Sequence, residues 1–499
     1  MQETPSRPTE PGGIGEQEGI RRQKLAELVR AGTDPYAVTR YDRTHVSSEI
    51  VGRFAELEGQ PVCVAGRLFS KRVMGKAAFA HLLDAEGQIQ FYARRDDIGA
   101  PAYDAFKALD IGDIVGVRGQ VFRTQKGEVS VHAAEVSLLS KALKPLPEKF
   151  HGLRDTDLRY RQRYVDLIMN PEVREVFRKR SRIISEMRRY LDGLGFLEVE
   201  TPILNTVASG AAARPFVTHH NTLDLDMHLR IALELPLKKL IVGGLERVYE
   251  IGRNFRNEGM DTTHNPEFTM MELYQAYTDM EGMMEIAEGV ISHCAQAVLG
   301  TAKVTYQGVE FDLTPPFTRM SMNDAVRQYA GADFMACASD GDARALAESL
   351  QLHIKDKSAT RGQILAEAFD AFVEDKLVQP VFITGYPVEI SPLAKRSGNH
   401  PGLTERFELF IAGHEYANAF SELNDPIDQR ARFEQQARER AKGDDEAMVM
   451  DEDFCESLEY GMPPTGGIGM GVDRLVMLLT DSPSIRDVLL FPTMKPRDV

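Results

Sequence analysis

Between about Gln60 and Leu139 apolar and polar residues alternate in five short stretches: PVCVAGRLFSKR, AAFAHLLD, EGQIQFYARR, DIVGVRGQVFRT and GEVSVHAAEVSLLS. A period of two with Glu-Gly and Lys-Gly at the joints predicts about five strands in a small barrel or meander. An OB-type barrel is the leading candidate, because its shallow face lets bases stack. On that face Phe79 and Gln90 would supply stacking and a base-edge hydrogen bond, with Arg72 as a cation. Upstream, the run IRRQKLAELVRA from Ile20 to Ala31 has helical spacing and a basic face, and reads as a docking element. Residues 1–19 are rich in Pro, Gly and Glu and read as a disordered lead-in.

Beyond the Pro-containing KALKPLPEKF the period changes. EVREVFRKRSRIISEMRRYLDGLGFLEVETPIL predicts a long amphipathic helix that stops near Gly193 and Gly195 and enters a strand ending at Pro202. Helix, strand and proline in that order can form a dimer face. Residues from about 321 to 379 are helical with few chemical residues, and read as an inserted bundle. The expected organisation is a lead-in (1–19), a helical segment (20–58), the barrel (59–145), a linker (146–170) and a large α+β domain (171–499).

Composition narrows the class. The 499 residues are 43% hydrophobic and 27% charged, with 40 Gly and 25 Pro, which excludes collagen, a disordered chain and a disulfide scaffold. No apolar run approaches the ~18 residues that span a bilayer, and MQETPSRPTEPGG lacks the order of a signal peptide, so a cytoplasmic protein without membrane contact is expected. Cys63, Cys294, Cys337 and Cys455 have neither zinc-site nor disulfide spacing. The net charge of −16 argues against a polyanionic partner, yet residues 141–190 hold 14 Lys/Arg against 7 Asp/Glu. Such a stretch can steer a polyanion to one face, and it equally describes a solvated helix with spare arginines.

Three segments carry candidate chemistry. RVYEIGRNFRNEGMDTTHNPEFTMMELYQAY, Arg247 to Tyr277, reads as strand, polar loop, strand, with Arg256, Glu258, His264 and Asn265 on the loop. A guanidinium that forks onto phosphate oxygens, a carboxylate for an exocyclic amine and an imidazole at an outer phosphate suit a triphosphate site, and Phe268 can stack on a purine. A salt-bridged surface hairpin fits this segment equally well by itself. GMPPTGGIGMGVDRLVMLLT has glycines at 466, 467, 469 and 471 before a helical run containing Arg474; it does not fit a P-loop, but suits close approach of backbone to a ligand. In RFELFIAGHEYANAFSELND, antiparallel strands over 406–412 and 415–422 would let Glu408 and Glu415 face one pocket and hold Mg²⁺ on phosphates. Asn418, Phe420 and Glu422, at alternating positions, would line the same face.

With these residues in hand, the chain closely resembles the class II lysyl-tRNA synthetases of bacterial type, over essentially everything after about residue 20. The resemblance rests on the helix–strand–proline element, on NFRNEG with HNPEFTMMELY, and on GIGMGVDRLVML, in that order. RVMGKAAF with IQFY, KFHGLRDTDLRYRQRYVDLI, ARPFVTHHN and AFSELND are similar to the lysine branch. It implies an α+β fold, an N-terminal five-stranded OB-fold barrel plus a class II catalytic domain with an antiparallel sheet flanked by helices, and a homodimer. The implied activity is lysine–tRNA ligation: ATP and L-lysine form lysyl-adenylate, which charges tRNA(Lys), with Mg²⁺ as cofactor. In such enzymes the hairpin arginine, here Arg256, bridges the α-phosphate and the amino-acid carboxylate. Glu258 and Asn265 address adenine, Phe268 and Arg474 sandwich it, His264 approaches the triphosphate tail, and Gly471 belongs to the nucleotide site. Glu408 and Glu415 ligate Mg²⁺. Gly210 and Glu234 lie near the α-amino group, and Glu272, Tyr274, Asn418, Phe420 and Glu422 form the side-chain slot. Arg72, Phe79, Gln90 and Glu128 read the uridine-rich anticodon.

An acidic slot is what an ε-ammonium taken out of water needs, whereas the aspartate and asparagine branches call for cations there. Gly385, His414 and Pro236 depart from what the resemblance leads one to expect. Two rivals remain: a paralogue that attaches a lysine-like amino acid to a protein, which would lack the barrel, and an inactive RNA-binding relative, which would lack Arg256, Glu408, Glu415 and Arg474.

Overall fold

The computed structural model describes residues 15–147, 153–441 and 448–497. The chain divides between residues 152 and 153 into two compact units. In the first, strands β1 (Pro61–Met74), β2 (Ala77–Leu83), β3 (Gln88–Arg94), β4 (Ile114–Arg123) and β5 (Val129–Ser140) close a barrel in the order β1-β2-β3-β5-β4. The alternation read from the sequence is the inside–outside alternation of this barrel: Val64, Leu68, Ala80, Leu82, Phe91, Val117 and Val131 point inward and are fully buried.

The preceding helix spans Glu16–Arg30, so it starts before the expected boundary at residue 20. Glu16 and Glu18 in its first turn complement the helix dipole, which is why a polar segment joins the helix. The rest of the expected lead-in, residues 1–14, lies outside the described residues. Docking of this helix is polar. Arg21 donates to the carbonyls of Ile111 (3.0 Å), Ala142 (3.0 Å) and Lys144 (3.3 Å), and Lys24 pairs with Asp110 (2.6 Å). Beneath it the buried Lys141 ammonium bridges Asp110 (2.6 Å) and the fully buried Asp113 (2.8 Å).

Residues 148–152 of the expected linker lie outside the described residues, and the remainder is not a linker. Helices Thr156–Arg161 and Arg163–Met169 belong to the second unit. Arg163, fully buried, donates to the carbonyls of Arg486 (2.8 Å), Leu489 (3.3 Å) and Leu490 (3.2 Å) and pairs with Asp166 at 2.5 Å. Arg159 also pairs with Asp166, Arg161 with Asp157 and Arg180 with Asp473. Much of the basic stretch is therefore internal pairing rather than a free cationic face.

The second unit is built on an eight-stranded sheet, in the order 318–321, 381–384, 406–411, 414–421, 465–471, 267–276, 247–255 and 197–198. Its pairs are antiparallel except for the outermost one at each edge. The strand before Pro202 is only Leu197–Glu198. One face carries Tyr249, Met271, Leu273, Phe407, Leu409, Ala417, Ala419, Ile468 and Met470, which share one core with residues of helices Pro171–Gly193, Met280–Leu299 and Val472–Thr480. The expected helical insertion is a crossover: helices Met322–Ala330, Asp340–Ser349 and Arg361–Phe372 lie between the adjacent parallel strands Thr318–Ser321 and Val381–Thr384, over their own core. No helix among the described residues is long and apolar enough to cross a membrane, and all four cysteines are free.

Lys141→Met should leave Asp113 buried without its cation and destabilise the protein by about 3–5 kcal/mol. Denaturant unfolding checks this; a loss below about 1 kcal/mol would show that water reaches the site.

Candidate active site and barrel face

Because side chains alternate, the sheet face opposite the core collects the other parity of residues. Register places Glu272 beside Gly469, Gly469 beside Asn418 and Asn418 beside Glu408 in one row. The next row runs Tyr274, Gly467, Phe420, Arg406. Gly467, Gly469 and Gly471 thus form a floor without side chains between two polar walls. Above it opens a cleft of about 1210 Å³ lined by Arg256, Glu258, His264, Asn265, Phe268 and Arg474 and also by Gly210 and Glu234. Gly467 has no alternative: a Cβ there would lie 2.0 Å from Glu422 Oε1 and 2.4 Å from the Tyr274 ring.

The acidic part is deeply buried. Glu272 Oε1 accepts from the Leu233 N–H (3.1 Å) and Oε2 from the Tyr274 hydroxyl (3.2 Å). Burial, then neighbouring Glu234, pushes the Glu272 carboxyl up to about 7, opposed by Leu233, Tyr274 and Arg256. Glu234 opens the helix Glu234–Val242, and Pro236 sits in its first turn, where the missing N–H has no helical partner to lose. Glu422 corrects the expected alternation. Asn418 and Phe420 line the cleft, but Glu422 lies past the end of strand His414–Ser421, is 1% exposed behind Gly467, and pairs through Oε2 with Lys238 at 2.5 Å. Lys238 was not foreseen; its only signal was its place one helical turn after Glu234.

Glu408 and Glu415 do share the cleft, by a route the spacing hides. In an unbroken strand Glu415 would point away from Asn418, three residues on. A β-bulge opposite Leu409/Phe410 pairs Leu409 with Ala417 but Phe410 with Glu415, so the additional residue Tyr416 restores Glu415 to the cleft face. Arg406 holds Glu408 Oε1 (2.5 Å) and the Tyr386 hydroxyl holds Oε2 (2.8 Å). Burial and the Glu415 charge push the Glu408 carboxyl up, with Arg406 opposing. Neither Arg406 nor Tyr386 was among the expected residues.

Strands Arg247–Phe255 and Glu267–Ala276 present the loop between them. The Arg256 guanidinium lies 5.2 Å from the Phe268 ring centroid, and Asn265 donates to the Glu267 carbonyl (2.6 Å). Arg474 donates to the Glu415 carbonyl (2.5 Å) and lies 3.3 Å from the His264 ring. Glu258 and His264 are exposed at the mouth. His414 is half-buried at the start of its strand, where burial and Arg474 lower its pKa, and Gly385 has φ +74, a conformation that favours glycine.

On the barrel, Arg72 pairs in register with Phe79 and Phe79 with Tyr92, whose rings are 4.8 Å apart; the His132 ring follows at 5.4 Å from Tyr92. Beside this row Gln90 donates to Glu128 (2.7 Å) and accepts from Ser130 (3.0 Å), while the His81 ring lies 3.1 Å from Glu128. Tyr92, His81 and His132 escaped the sequence reading, although strand alternation from Phe79 and Gln90 points to the first two.

Comparison with known proteins adds a family. Residues 155–495 match tRNA synthetases class II (D, K and N), and residues 62–139 match the OB-fold nucleic acid binding domain. The lysine–tRNA ligase of Moorella thermoacetica is 60% identical over 479 residues, 96% of this chain and 98% of its own. Those of Thermoanaerobacter sp. (58% over 479 residues, 96% of each chain) and Clostridium perfringens (57% over 487 residues, 97% of each) are similar throughout.

Gly467→Ala should force Glu422 and Tyr274 off their positions and destabilise the fold by about 1–3 kcal/mol in thermal unfolding. A loss under about 0.5 kcal/mol would mean the two side chains yield freely.

Proposed function

The chain belongs to the lysine–tRNA ligases of class II, and from that membership we propose how its cleft activates lysine with ATP and charges tRNA(Lys). The observation that carries the assignment is one cleft that brings together buried carboxyls, Glu234 and Glu272, and guanidinium groups, Arg256 and Arg474, over a floor of Gly467, Gly469 and Gly471. A zwitterion with a second ammonium aligns in that field in one direction only. Its ε-ammonium goes to Glu272, Tyr274 and Glu422, its α-amino group to Gly210 and Glu234, and its carboxylate toward Arg256.

Phe268 and Arg474 take the two faces of adenine, Glu258 and Asn265 address its edge, Gly471 lets the nucleotide approach the backbone, and His264 meets the triphosphate tail. Arg256 holds the lysine carboxylate in line with the α-phosphorus; the carboxylate oxygen bonds to that phosphorus and pyrophosphate leaves, so positioning and charge neutralisation lower the barrier without a side-chain nucleophile. Glu408 and Glu415 fit Mg²⁺, a hard cation that takes one or two carboxylates plus phosphate oxygens, and both face the cleft that holds the arginines. Bound there, the ion would neutralise phosphate charge. The terminal ribose hydroxyl of the tRNA then attacks the adenylate carbonyl and AMP leaves.

On the barrel, Arg72, Phe79 and Tyr92 offer a stacking row, and the Gln90–Glu128 pair offers base-edge hydrogen bonds, for the anticodon. Two copies would pair through the apolar side chains left exposed at Leu194, Leu197, Ile203, Leu204, Val217 and Leu225, giving a homodimer. The reaction belongs where tRNA is charged, in the cytoplasm.

Arg256→Ala should lower lysine-dependent ATP–pyrophosphate exchange by about a thousandfold or more in a protein that melts normally. Near-normal exchange would overturn the assignment. Substrate ammonium favours ionised Glu272, so lysine binding and deprotonation of Glu272 are linked. The KM for lysine should fall as pH rises through about 7 and level off above it. A KM that is flat across that range would remove Glu272 from the slot.

A further inference from the structure

Lys238 has no exposed surface and belongs to no substrate contact proposed above. Its ammonium lies 2.5 Å from Glu234 Oε1 and 2.5 Å from Glu422 Oε2, and within 5.7–6.0 Å of the ring centroids of Phe420, Phe454 and Tyr274. It therefore occupies the deep end of the same slot whose open side is lined by Glu272, Tyr274 and Phe420. Oε2 of Glu422 is ion-paired with Lys238, yet neither oxygen of this buried carboxyl has a hydrogen-bond partner among the described residues, and Oε1 lies against the Gly467 floor.

The charges facing one another here are Glu234 on the helix of Lys238 itself, Glu422 beyond the neighbouring strand, Glu272 with the Tyr274 hydroxyl on the hairpin strand, and Arg256 at the border of the cleft. Fully ionised, the three carboxyls against one ammonium carry two negative charges in excess, before Arg256 is counted, and burial with this mutual repulsion pushes the Glu272 and Glu422 carboxyls up. A free lysine brings two ammonium groups and one carboxylate. If Arg256 takes the carboxylate, the two ammonium groups close the balance.

We propose that Lys238 is a positioning and specificity-determining residue: a resident ammonium that orients Glu234 and Glu422 and sets the slot's charge deficit at two, so that an amino acid with two ammonium groups fills it. This deepens the reading of the cleft as a lysine site and rests on it. Without Lys238, Glu234 and Glu422 face one another in an apolar surround, where a carboxylate takes up a proton rather than stay ionised and unpaired. A protonated, reoriented pair holds an incoming ammonium poorly.

The test is Lys238→Met, which keeps the apolar stem and removes the charge. In ATP–pyrophosphate exchange the KM for lysine is expected to rise by about tenfold or more while the KM for ATP stays within about twofold. The pH below which the lysine KM climbs is expected to move up by about one unit. Unchanged lysine KM and pH profile in a folded variant would overturn the proposal. Should the variant not fold, the wild-type enzyme decides. Calorimetry of lysine binding at about pH 6.5, in buffers of different ionisation enthalpy, should report release of about one proton, as the substrate ammonium ionises a carboxyl that burial keeps protonated in the empty slot; no release means that ionisation of the carboxyls is not coupled to the incoming ammonium and also overturns it. Wild-type exchange driven by an amino acid other than lysine would instead sink the reading of the cleft, so the two failures are distinguishable.

Discussion

Glu234, Glu272 and Glu422 are kept out of water beside a strand that turns Gly467, Gly469 and Gly471 to that face, and the second unit is arranged around what this requires. Each buried carboxylate costs several kcal/mol in lost hydration unless donors or cations replace the water. The Leu233 N–H, the Tyr274 hydroxyl and the Lys238 ammonium do so here. The arrangement holds only while Gly467 leaves room for Glu422 and Tyr274, and while the reverse face of the sheet is clamped by the helices of the main core. The row continues outward with another compensated carboxylate, since Glu250, paired in register with Glu272, is held by Arg230 at 2.6 Å. Specificity and rigidity thus share a source, because a slot that relaxed would readmit water and lose its preference for a buried ammonium.

The cleft holds both signs side by side, since Glu415 stands 3.7 Å from Arg474. Arg256, stacked over Phe268, and Arg474, fixed by the Glu415 carbonyl, are pre-ordered by the protein rather than by the ligand. Pre-ordering removes reorganisation from the reacting step, which is where charge stabilisation is most effective. Arg406 has a different role. By gripping Glu408 it offsets part of the upward push that burial and its neighbour Glu415 exert on one carboxyl of the proposed metal pair.

Much of this was legible in the sequence because strand alternation and loop chemistry are local. The five barrel strands, the hairpin from Arg247 and the glycine run before Arg474 follow from period and turn residues. What stayed hidden depends on register between distant segments. The bulge near Leu409 decides that Glu415 joins Glu408, yet no residue there announces it. Glu422 belongs to the slot only because Lys238, from a helix far upstream, meets it. The basic stretch misled for the same reason: composition cannot tell an arginine paired with a buried aspartate, such as Arg163, from one that faces solvent. Tyr92, His81 and His132 were invisible as a group until β3 was seen between β2 and β5.

The internal use of those arginines bears on how an acidic protein would engage RNA. With a net charge of −16, and with Arg159, Arg163 and Arg180 of its basic run paired to the buried Asp166 and Asp473, the chain has little long-range attraction for phosphate. Affinity on the barrel must then come from short-range contact. The row of exposed Arg72 and half-buried Phe79, Tyr92 and His132 offers mainly rings, and stacking is worth about 1–3 kcal/mol per base without any net charge. Glu128, locked between Gln90 and His81, places a carboxylate beside that row, which disfavours indiscriminate phosphate binding. Weak steering with strong local readout suits a partner that must be chosen by a few splayed bases among many RNAs of the same overall charge.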